Sequence, residues 1–167
     1  MKIRKKNLAF FGGKKAITYK SPHWKWPPFS KEKYDSIRSY YLNGEKKNKK
    51  GYPKIVETFE KNFKKYQKAK YALSTNSGTS ALQAAFFAVG LKEGDEVIAP
   101  ALTFHATATP IFSTNATPVI ADCKSDTGNI DPKSIKKLIT RRTKAIVITH
   151  LCGHPCDMDE ILKIKRN

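Results

Sequence analysis

Hydroxyl groups are concentrated in the short segment Asn76-Ser-Gly-Thr-Ser80, which interrupts an otherwise largely apolar stretch. Gly78 is predicted to let one backbone segment approach another closely at a tight turn. Ser77, Thr79 and Ser80 would place hydroxyls and free amides at the first turn of a helix, where the helix dipole favours an anion. The segment therefore predicts a phosphate site, although the same residue types also form ordinary strand-to-helix turns.

Two other groups of residues could take part in chemistry. Phe104 offers a flat apolar ring, but a lone phenylalanine is more typical of a protein core. Cys152, His154 and Cys156 are potential metal ligands, yet Cys-x-His-x-Cys is not a standard zinc pattern and no fourth ligand is close by. We therefore predict no metal site. Together with Cys123 the cysteines number three, which fits reduced thiols better than a disulfide framework.

A strand and a helix are needed to position the phosphate-binding turn, and the flanking sequence predicts both. An apolar run at residues 71–73 precedes the turn, and an Ala/Leu/Phe-rich run that ends at Gly90 follows it. A turn that leads into a short strand is predicted at residues 94–100, and further strands are predicted at residues 118–122 and 144–150. A loop that enters a helix is predicted at residues 103–112, and further helices are predicted at residues 131–139 and 158–164, with Asp131 as a helix cap before Pro132. This alternation predicts an α/β fold with a mainly parallel sheet covered by helices.

Residues 1–53 are predicted to form a separate region made of an extended segment, a helix and a basic loop. Pro27 and Pro28 oppose both a helix and a central strand, so the segment around them should be extended. Ser30 is a predicted helix cap, and Asn43-Gly44 ends that helix. Residues 45–53 form a lysine-rich loop that should be solvated and mobile. The second region, residues 54–167, opens with a helix whose apolar stripe consists of Ile55, Phe59, Phe63 and Tyr66.

The length of 167 residues allows one domain of ordinary size with a sizeable core. No apolar run approaches the roughly 20 residues that a membrane helix needs, and the start Met1-Lys-Ile-Arg-Lys-Lys lacks the features of a signal peptide. We therefore expect a cytoplasmic protein that does not interact with membranes. Because the sequence stops at Asn167 inside a predicted helix, we also expect that it is truncated or that another chain completes its sheet.

The formal net charge of +18 is distributed unevenly along the chain. Residues 1–70 hold 21 Lys and Arg against 5 Asp and Glu, so they account for 16 of these charges. Of the 32 basic residues, 27 are lysine and 5 are arginine, whereas proteins that recognise nucleic acids favour the forked guanidinium of arginine. A solvated lysine-rich surface is therefore the preferred interpretation, and we predict no nucleic-acid partner.

Seven motifs, in this order and at these spacings, resemble the DegT/DnrJ/EryC1/StrS aminotransferases, which are pyridoxal-phosphate enzymes of fold type I that aminate keto-sugars. The matching motifs are Leu8-Ala-Phe-Phe-Gly-Gly-Lys-Lys-Ala-Ile17, Asn76-Ser-Gly-Thr-Ser-Ala-Leu82, Gly94-Asp-Glu-Val-Ile-Ala-Pro100 with Thr103-Phe104, Pro118-Val-Ile-Ala-Asp122, Gly128-Asn-Ile-Asp131, Thr143-Lys-Ala-Ile146 and Gly153-His-Pro-Cys-Asp-Met-Asp159. The resemblance implies the large domain of such an enzyme, incomplete at its C-terminal end.

The resemblance also implies roles for individual residues. Gly78, Thr79 and Ser80 would hold the phosphate of pyridoxal 5'-phosphate, and Phe104 would stack on its pyridine ring. His105 would border this site. The segment with Trp24 and Trp26 would cover the mouth of an active site, either its own or that of a neighbouring subunit, since the family forms homodimers with sites at the interface.

Two groups that the family's chemistry requires are absent from this sequence. One is the lysine that forms a Schiff base with the cofactor, and the other is the carboxylate that keeps the pyridine nitrogen protonated. Both are expected beyond Asn167, so we predict no catalytic residue within these 167 residues and no turnover by them alone.

The predicted reaction transfers an amino group from glutamate or glutamine to a keto-sugar, usually nucleotide-linked, or to a keto-cyclitol. Three alternatives remain open. They are the family's dehydratase branch, in which the lysine is replaced, a non-catalytic remnant or subunit, and a lysine-rich module that binds nucleic acid.

Overall fold

The structure is a computed structural model that describes residues 9–15, 18 and 30–165. The segment with Trp24 and Trp26, which the sequence predicts to be extended, lies outside the described residues. The packing of the Cα trace separates the chain into two compact units, Met1–Phe59 and Glu60–Asn167. In the described ranges, no helix is long and apolar enough to span a membrane.

Unit 1 contains a 3-10 turn at Ala9–Phe11 and helix α1, Lys31–Asn43. Ser30 caps this helix as predicted, because its hydroxyl accepts a hydrogen bond from the Lys33 amide at 3.2 Å. Gly44 ends the helix with a φ of 71°, a value that favours glycine. The predicted helix is therefore confirmed, together with its two boundaries.

The basic loop after α1 is organised by one asparagine. The side-chain oxygen of Asn48 accepts hydrogen bonds from the amides of Lys50 at 2.9 Å and Tyr52 at 3.0 Å. The chain then enters helix α2, Lys54–Tyr66, which spans the boundary between the two units. The predicted apolar stripe of α2 remains accessible, since exposed fractions range from 45% to 81% for Ile55, Phe59, Phe63 and Tyr66.

Unit 2 is an α/β arrangement around a three-stranded parallel sheet with the order β2-β1-β3. The strands are β1 at Glu96–Pro100, β2 at Thr117–Ala121 and β3 at Thr143–Ile146. The helices are α3 at Gly78–Val89, α4 at Thr109–Phe112, α5 at Pro132–Leu138 and α6 at Met158–Lys165, with 3-10 turns at His105–Thr107 and Leu151–Gly153. The predicted parallel sheet covered by helices is confirmed.

Helices cover both faces of the central strand β1. On one face, Val97 and Ala99 pack with Phe86 of α3 and Ile111 of α4. On the other face, Ile98 lies in a second cluster with side chains from α5 and α6, namely Ile135, Ile161 and Ile164. Strand β1 is the centre of the core, because its side chains belong to both clusters. Each fully buried aliphatic side chain of this kind stabilises a fold by about 1.5–3 kcal/mol.

Two predicted strands differ from the structure. Residues 71–73 form no strand, because no described strand pairs with them and Tyr71 and Leu73 are 78% and 77% exposed. The strand predicted at residues 144–150 ends at Ile146. Beyond it the amide of Val147 donates to the Ile98 carbonyl at 2.8 Å, but Pro100, two residues further along β1, has no N–H to continue the ladder.

The segment that follows β3 is held by the buried amide of Asn129, which is 3% exposed. Its Nδ2 donates to the carbonyls of His154 at 3.0 Å and Pro155 at 3.1 Å, and its Oδ1 accepts from the Leu151 amide at 3.0 Å. Gly128 beside it has a φ of +71°, and a Cβ there would lie 2.7 Å from a methyl carbon of Leu151. One amide therefore fixes the whole turn at residues 151–155.

A buried carboxylate joins the amino end of β1 to the turn before β3. Glu96 Oε1 accepts from Arg142 Nε at 2.8 Å and Nη2 at 2.6 Å, and Oε2 accepts from the Thr140 hydroxyl at 2.6 Å. The hydrogen bond from Thr140, followed by the bonds and charge of Arg142, lowers the pKa of Glu96 below its ordinary value. The ionised form is therefore the one that stabilises the fold.

We predict that Glu96→Gln destabilises the protein at about pH 7 by an amount that shrinks in acid. Because the folded-state pKa of Glu96 is depressed, its contribution is fully present above the unfolded-state pKa, about 4.3, and is lost as the pH falls through the folded-state pKa. Urea unfolding of both proteins as a function of pH measures this difference. If the difference in unfolding free energy between the two proteins stays constant from about pH 7 into acid, the ionised form of Glu96 does not stabilise the fold.

We also predict that Asn129→Ala lowers the free energy of unfolding by about 1–3 kcal/mol, because it leaves buried backbone groups without partners. Asn43→Ala is a suitable control, since Asn43 is exposed and donates to one exposed hydroxyl, that of Ser39. The control should change stability by less than about 0.5 kcal/mol. Equal effects of the two substitutions in denaturant unfolding would argue against a special role for Asn129.

Candidate cofactor site

The hydroxyl-rich turn caps helix α3 at its amino end. Ser77 is the cap residue, with φ −160° and ψ 159°, and its hydroxyl oxygen accepts a hydrogen bond from the Ser80 amide at 3.1 Å. The Thr75 hydroxyl donates to the Ser77 carbonyl at 2.9 Å and braces the turn. Gly90 ends α3 in the left-handed conformation, as predicted.

The side chain of Ser80 is occupied within the turn. Its hydroxyl donates to Asn76 Oδ1 at 2.7 Å and lies 3.0 Å from the Ser77 hydroxyl. A phosphate accepts hydrogen bonds, so Ser80 in this arrangement has no proton to offer one. The structure thus gives the Ser80 side chain a role inside the turn, whereas the sequence suggested contact with an anion.

Free donors remain at the first two positions of the helix. Among the described residues, the structure pairs neither the amides of Gly78 and Thr79 nor the Thr79 hydroxyl, and both residues are exposed. These groups lie at the amino end of a 12-residue helix, where the dipole carries partial positive charge. The turn therefore presents three donors to solvent in a field that attracts anions.

The predicted reason for glycine at position 78 is wrong in one respect. A Cβ at Gly78 would meet no atom of the described residues within 4 Å, and its φ is not in the left-handed region, so no backbone in this part of the chain approaches it closely. Among these residues, the space over the start of α3 is open. This opening fits a group that comes from outside the protein, such as a phosphate, and lies against the backbone amides.

Phe104 lies on the loop that leaves the carboxyl end of β1. The residue is 69% exposed and is not part of the core. The His105 ring lies against it, with 4.1 Å between ring centroids and an interplanar angle of 49°. Helix α3 packs against the 3-10 turn His105–Thr107, so the helix that begins at Gly78 also supports the segment next to Phe104.

Sequence patterns did not reveal a cluster of three threonine hydroxyls beside Phe104. Thr103 Oγ1 lies 2.7 Å from Thr107 Oγ1 and 3.0 Å from Thr149 Oγ1. The spacing of Thr103 and Thr107 by four residues was an available signal, since such a pair can meet on one helical face. Thr149 lies 46 residues from Thr103, so only the fold brings them together.

The three cysteines are free thiols, as the sequence predicts. Burial raises the pKa of Cys156, and its thiol donates to the Thr149 carbonyl at 3.1 Å. Cys152 is exposed, with a φ of 52°. Within the described part of the chain, no group of three or more His, Cys, Asp or Glu side chains has a geometry suited to a metal ion.

The sequence model of the DegT/DnrJ/EryC1/StrS aminotransferase family matches residues 40–167. The spore coat polysaccharide biosynthesis protein SpsC of Bacillus subtilis is 48% identical over 112 residues, which are 67% of this chain and 29% of that protein. GDP-perosamine synthase of Caulobacter vibrioides is also 48% identical over 112 residues, 67% of this chain and 30% of the enzyme. The chain thus spans less than a third of the length of either relative.

Solved structures agree with this match. An aminotransferase from Psychrobacter cryohalolentis superimposes with a TM-score of 0.76 at 37% identity over 84% of this chain and 35% of that one. The GDP-4-keto-6-deoxy-D-mannose-3-dehydratase of E. coli, with hydrated PLP bound, gives a TM-score of 0.71 at 31% identity over 83% and 36%. The fold is therefore that of fold-type I PLP enzymes, and the chain belongs to the DegT/DnrJ/EryC1/StrS aminotransferase family, whose cofactor is pyridoxal 5'-phosphate.

Proposed function

We propose that these 167 residues form part of a PLP-dependent enzyme that transfers an amino group from glutamate or glutamine to a keto-sugar, usually nucleotide-linked, or to a keto-cyclitol. The observation that carries this proposal is that the amides of Gly78 and Thr79, at the start of α3 in a chain of this family, have no partner among the residues that the structure describes. We expect a cytoplasmic setting, because the odd number of cysteines, three, fits reduced thiols better than a disulfide framework.

The described residues fit the phosphate of the cofactor. The amides of Gly78 and Thr79 and the Thr79 hydroxyl are donors, a phosphate is an acceptor, and the helix dipole favours its negative charge. The exposed ring of Phe104 offers an apolar face on which an aromatic ring can lie and from which it excludes water. The cofactor, when bound, supplies the electron sink through which an amino group is exchanged.

We propose that the lysine which bonds the cofactor and the carboxylate which contacts its ring nitrogen lie in the part of the relatives' length that this chain does not span. The 167 residues alone should then hold the cofactor by its phosphate and ring, weakly and without turnover. The full-length protein would work as a homodimer. Apolar side chains of α1 are available for such contacts, since Tyr34, Ile37, Tyr41 and Leu42 are 51–79% exposed.

A dehydratase is the second candidate function, and the similarity to the E. coli dehydratase favours it. In that branch another residue replaces the cofactor-bonding lysine. The coding sequence downstream of residue 167 distinguishes the two candidates, because a histidine at that position would exclude transamination. Both candidates use the same phosphate turn, so the following experiment tests what they share.

We predict that the 167-residue chain binds 4-deoxypyridoxine 5'-phosphate, which lacks the aldehyde and so cannot react with the 27 lysines. Thr79→Val should weaken this binding about tenfold, because it removes one hydrogen bond to a charged phosphate. Thr58→Val is the matched control, since Thr58 is exposed and its hydroxyl donates to a backbone carbonyl within α2. Fluorescence titration of the ligand measures both affinities.

Two outcomes would overturn the assignment of this turn. One is the absence of binding by the unsubstituted chain, and the other is an equal effect of Thr79→Val and Thr58→Val. A basic surface that binds any anion would show the second pattern, and it would also bind DNA in a salt-dependent way that Thr79→Val leaves unchanged. DNA binding that stays tight near physiological salt would favour the nucleic-acid alternative.

A further inference from the structure

We infer that Thr103, acting with Thr149, is a positioning residue that sets the orientation of the Phe104 ring at the cofactor site. This inference rests on the proposed function, because it assumes that Phe104 contacts an aromatic ligand. It adds a residue that does not itself touch that ligand. Three observations carry it, concerning the hydroxyl contacts, their burial and the attachment of Phe104.

The hydroxyl contacts join two loops that leave neighbouring parallel strands. Thr103 lies three residues after the end of β1, and Thr149 lies three residues after the end of β3. Their oxygens are 3.0 Å apart, within hydrogen-bond distance for hydroxyls. The Thr149 backbone is itself anchored, since its carbonyl accepts from the buried thiol of Cys156 at 3.1 Å. Thr103 thus ties the Phe104 loop to a fixed point.

Burial makes these contacts costly to lose. Thr107 is 7% exposed and its hydroxyl lies 2.7 Å from that of Thr103, while Thr103 and Thr149 are half-buried. A buried hydroxyl without a partner loses its hydrogen bonds to water and gains nothing in return. The three hydroxyls satisfy one another in a chain with Thr103 at its centre, so replacing Thr103 leaves both neighbours without that partner.

Phe104 depends on this cluster because its ring lies outside the core. Phe104 is 69% exposed and, among the described residues, its ring contacts the ring of His105, which is itself exposed. The Phe104 backbone lies between Thr103 and the 3-10 turn, where the Thr107 amide donates to the Phe104 carbonyl at 2.9 Å. The Thr103 hydroxyl on one side and the Thr107 amide on the other therefore hold the backbone of Phe104, and the backbone conformation limits the rotamers that its ring can adopt.

The test compares two probes, inorganic phosphate and 4-deoxypyridoxine 5'-phosphate, on the 167-residue chain. Thr103→Val removes the hydroxyl and keeps the shape of the side chain, whereas Thr103→Ser keeps the hydroxyl. We expect Thr103→Val to weaken binding of the ring-containing probe about threefold to tenfold and to leave binding of phosphate unchanged. Thr103→Ser should restore the affinity. Thr149→Val should act like Thr103→Val, since it removes the other end of the contact.

A double-substitution cycle separates positioning from general damage to the fold. If Thr103 acts through Phe104, Thr103→Val should have no further effect on binding of the ring-containing probe when Phe104→Ala is already present. Retained phosphate binding shows in the same samples that the protein remains folded around the start of α3.

Failure of the unsubstituted chain to bind the ring-containing probe would overturn the proposed function, and with it the positioning role of Thr103. Binding that Thr103→Val leaves unchanged would overturn the inference alone. So would an equal loss of phosphate binding, failure of Thr103→Ser to restore affinity, or full additivity of Thr103→Val and Phe104→Ala.

Discussion

The backbone of β1 is buried on both faces, so each of its polar groups needs a partner within the protein. Strands β2 and β3 supply those partners on the two edges of β1, and both pair with it in parallel. Glu96 lies opposite Thr117 of β2, and Ile98 lies opposite Ile146 of β3. Because the strands are parallel, their carboxyl ends lie at one edge of the sheet, where ligands bind in folds of this kind. The pairing of β1 thus dictates that the loops with Phe104 and Thr149 leave the sheet at the same edge.

Polar groups near the candidate site divide into those that hold the protein together and those that remain available. At the start of α3, the Ser77 hydroxyl accepts a hydrogen bond from the Ser80 amide, and Asn76 Oδ1 accepts one from the Ser80 hydroxyl. These bonds fix the turn and leave the amides of Gly78 and Thr79 without partners in the described part of the chain. A turn that is already ordered loses little conformational freedom when an anion binds, which favours affinity.

Local sequence chemistry predicted much of the fold, because caps act over two or three residues. Ser30 accepts from Lys33, and Asp131 accepts from Lys133 at 2.9 Å before Pro132 opens α5. A strand depends on a partner that can lie far along the chain, so the apolar run at residues 71–73 predicted a strand that has no partner among the described strands. Local chemistry specifies caps and turns, whereas strand assignment requires the whole sheet.

The candidate site shows the same limit. Residue types and the family resemblance both pointed to Gly78, Thr79 and Ser80, and the resemblance pointed to Phe104. Residue types alone could not show that the Ser80 hydroxyl donates to Asn76. The contact between Thr103 and Thr149 was beyond sequence reasoning, since it joins residues 46 positions apart through two adjacent strands.

The difference between residues that are paired within the protein and residues that remain exposed also determines which substitutions reveal function. Asn129 and Glu96 are buried and fully paired, so their replacement acts on the stability of the fold and changes binding only indirectly. Thr79 and Phe104 are exposed, and their replacement removes little that the folded chain uses. Thr103 lies between these groups, because it is half-buried and paired yet adjoins an exposed ring. The effect of replacing Thr103 on binding should therefore depend on whether the ligand has a ring. Replacing a purely structural residue, or a residue that binds the phosphate, would show no such dependence.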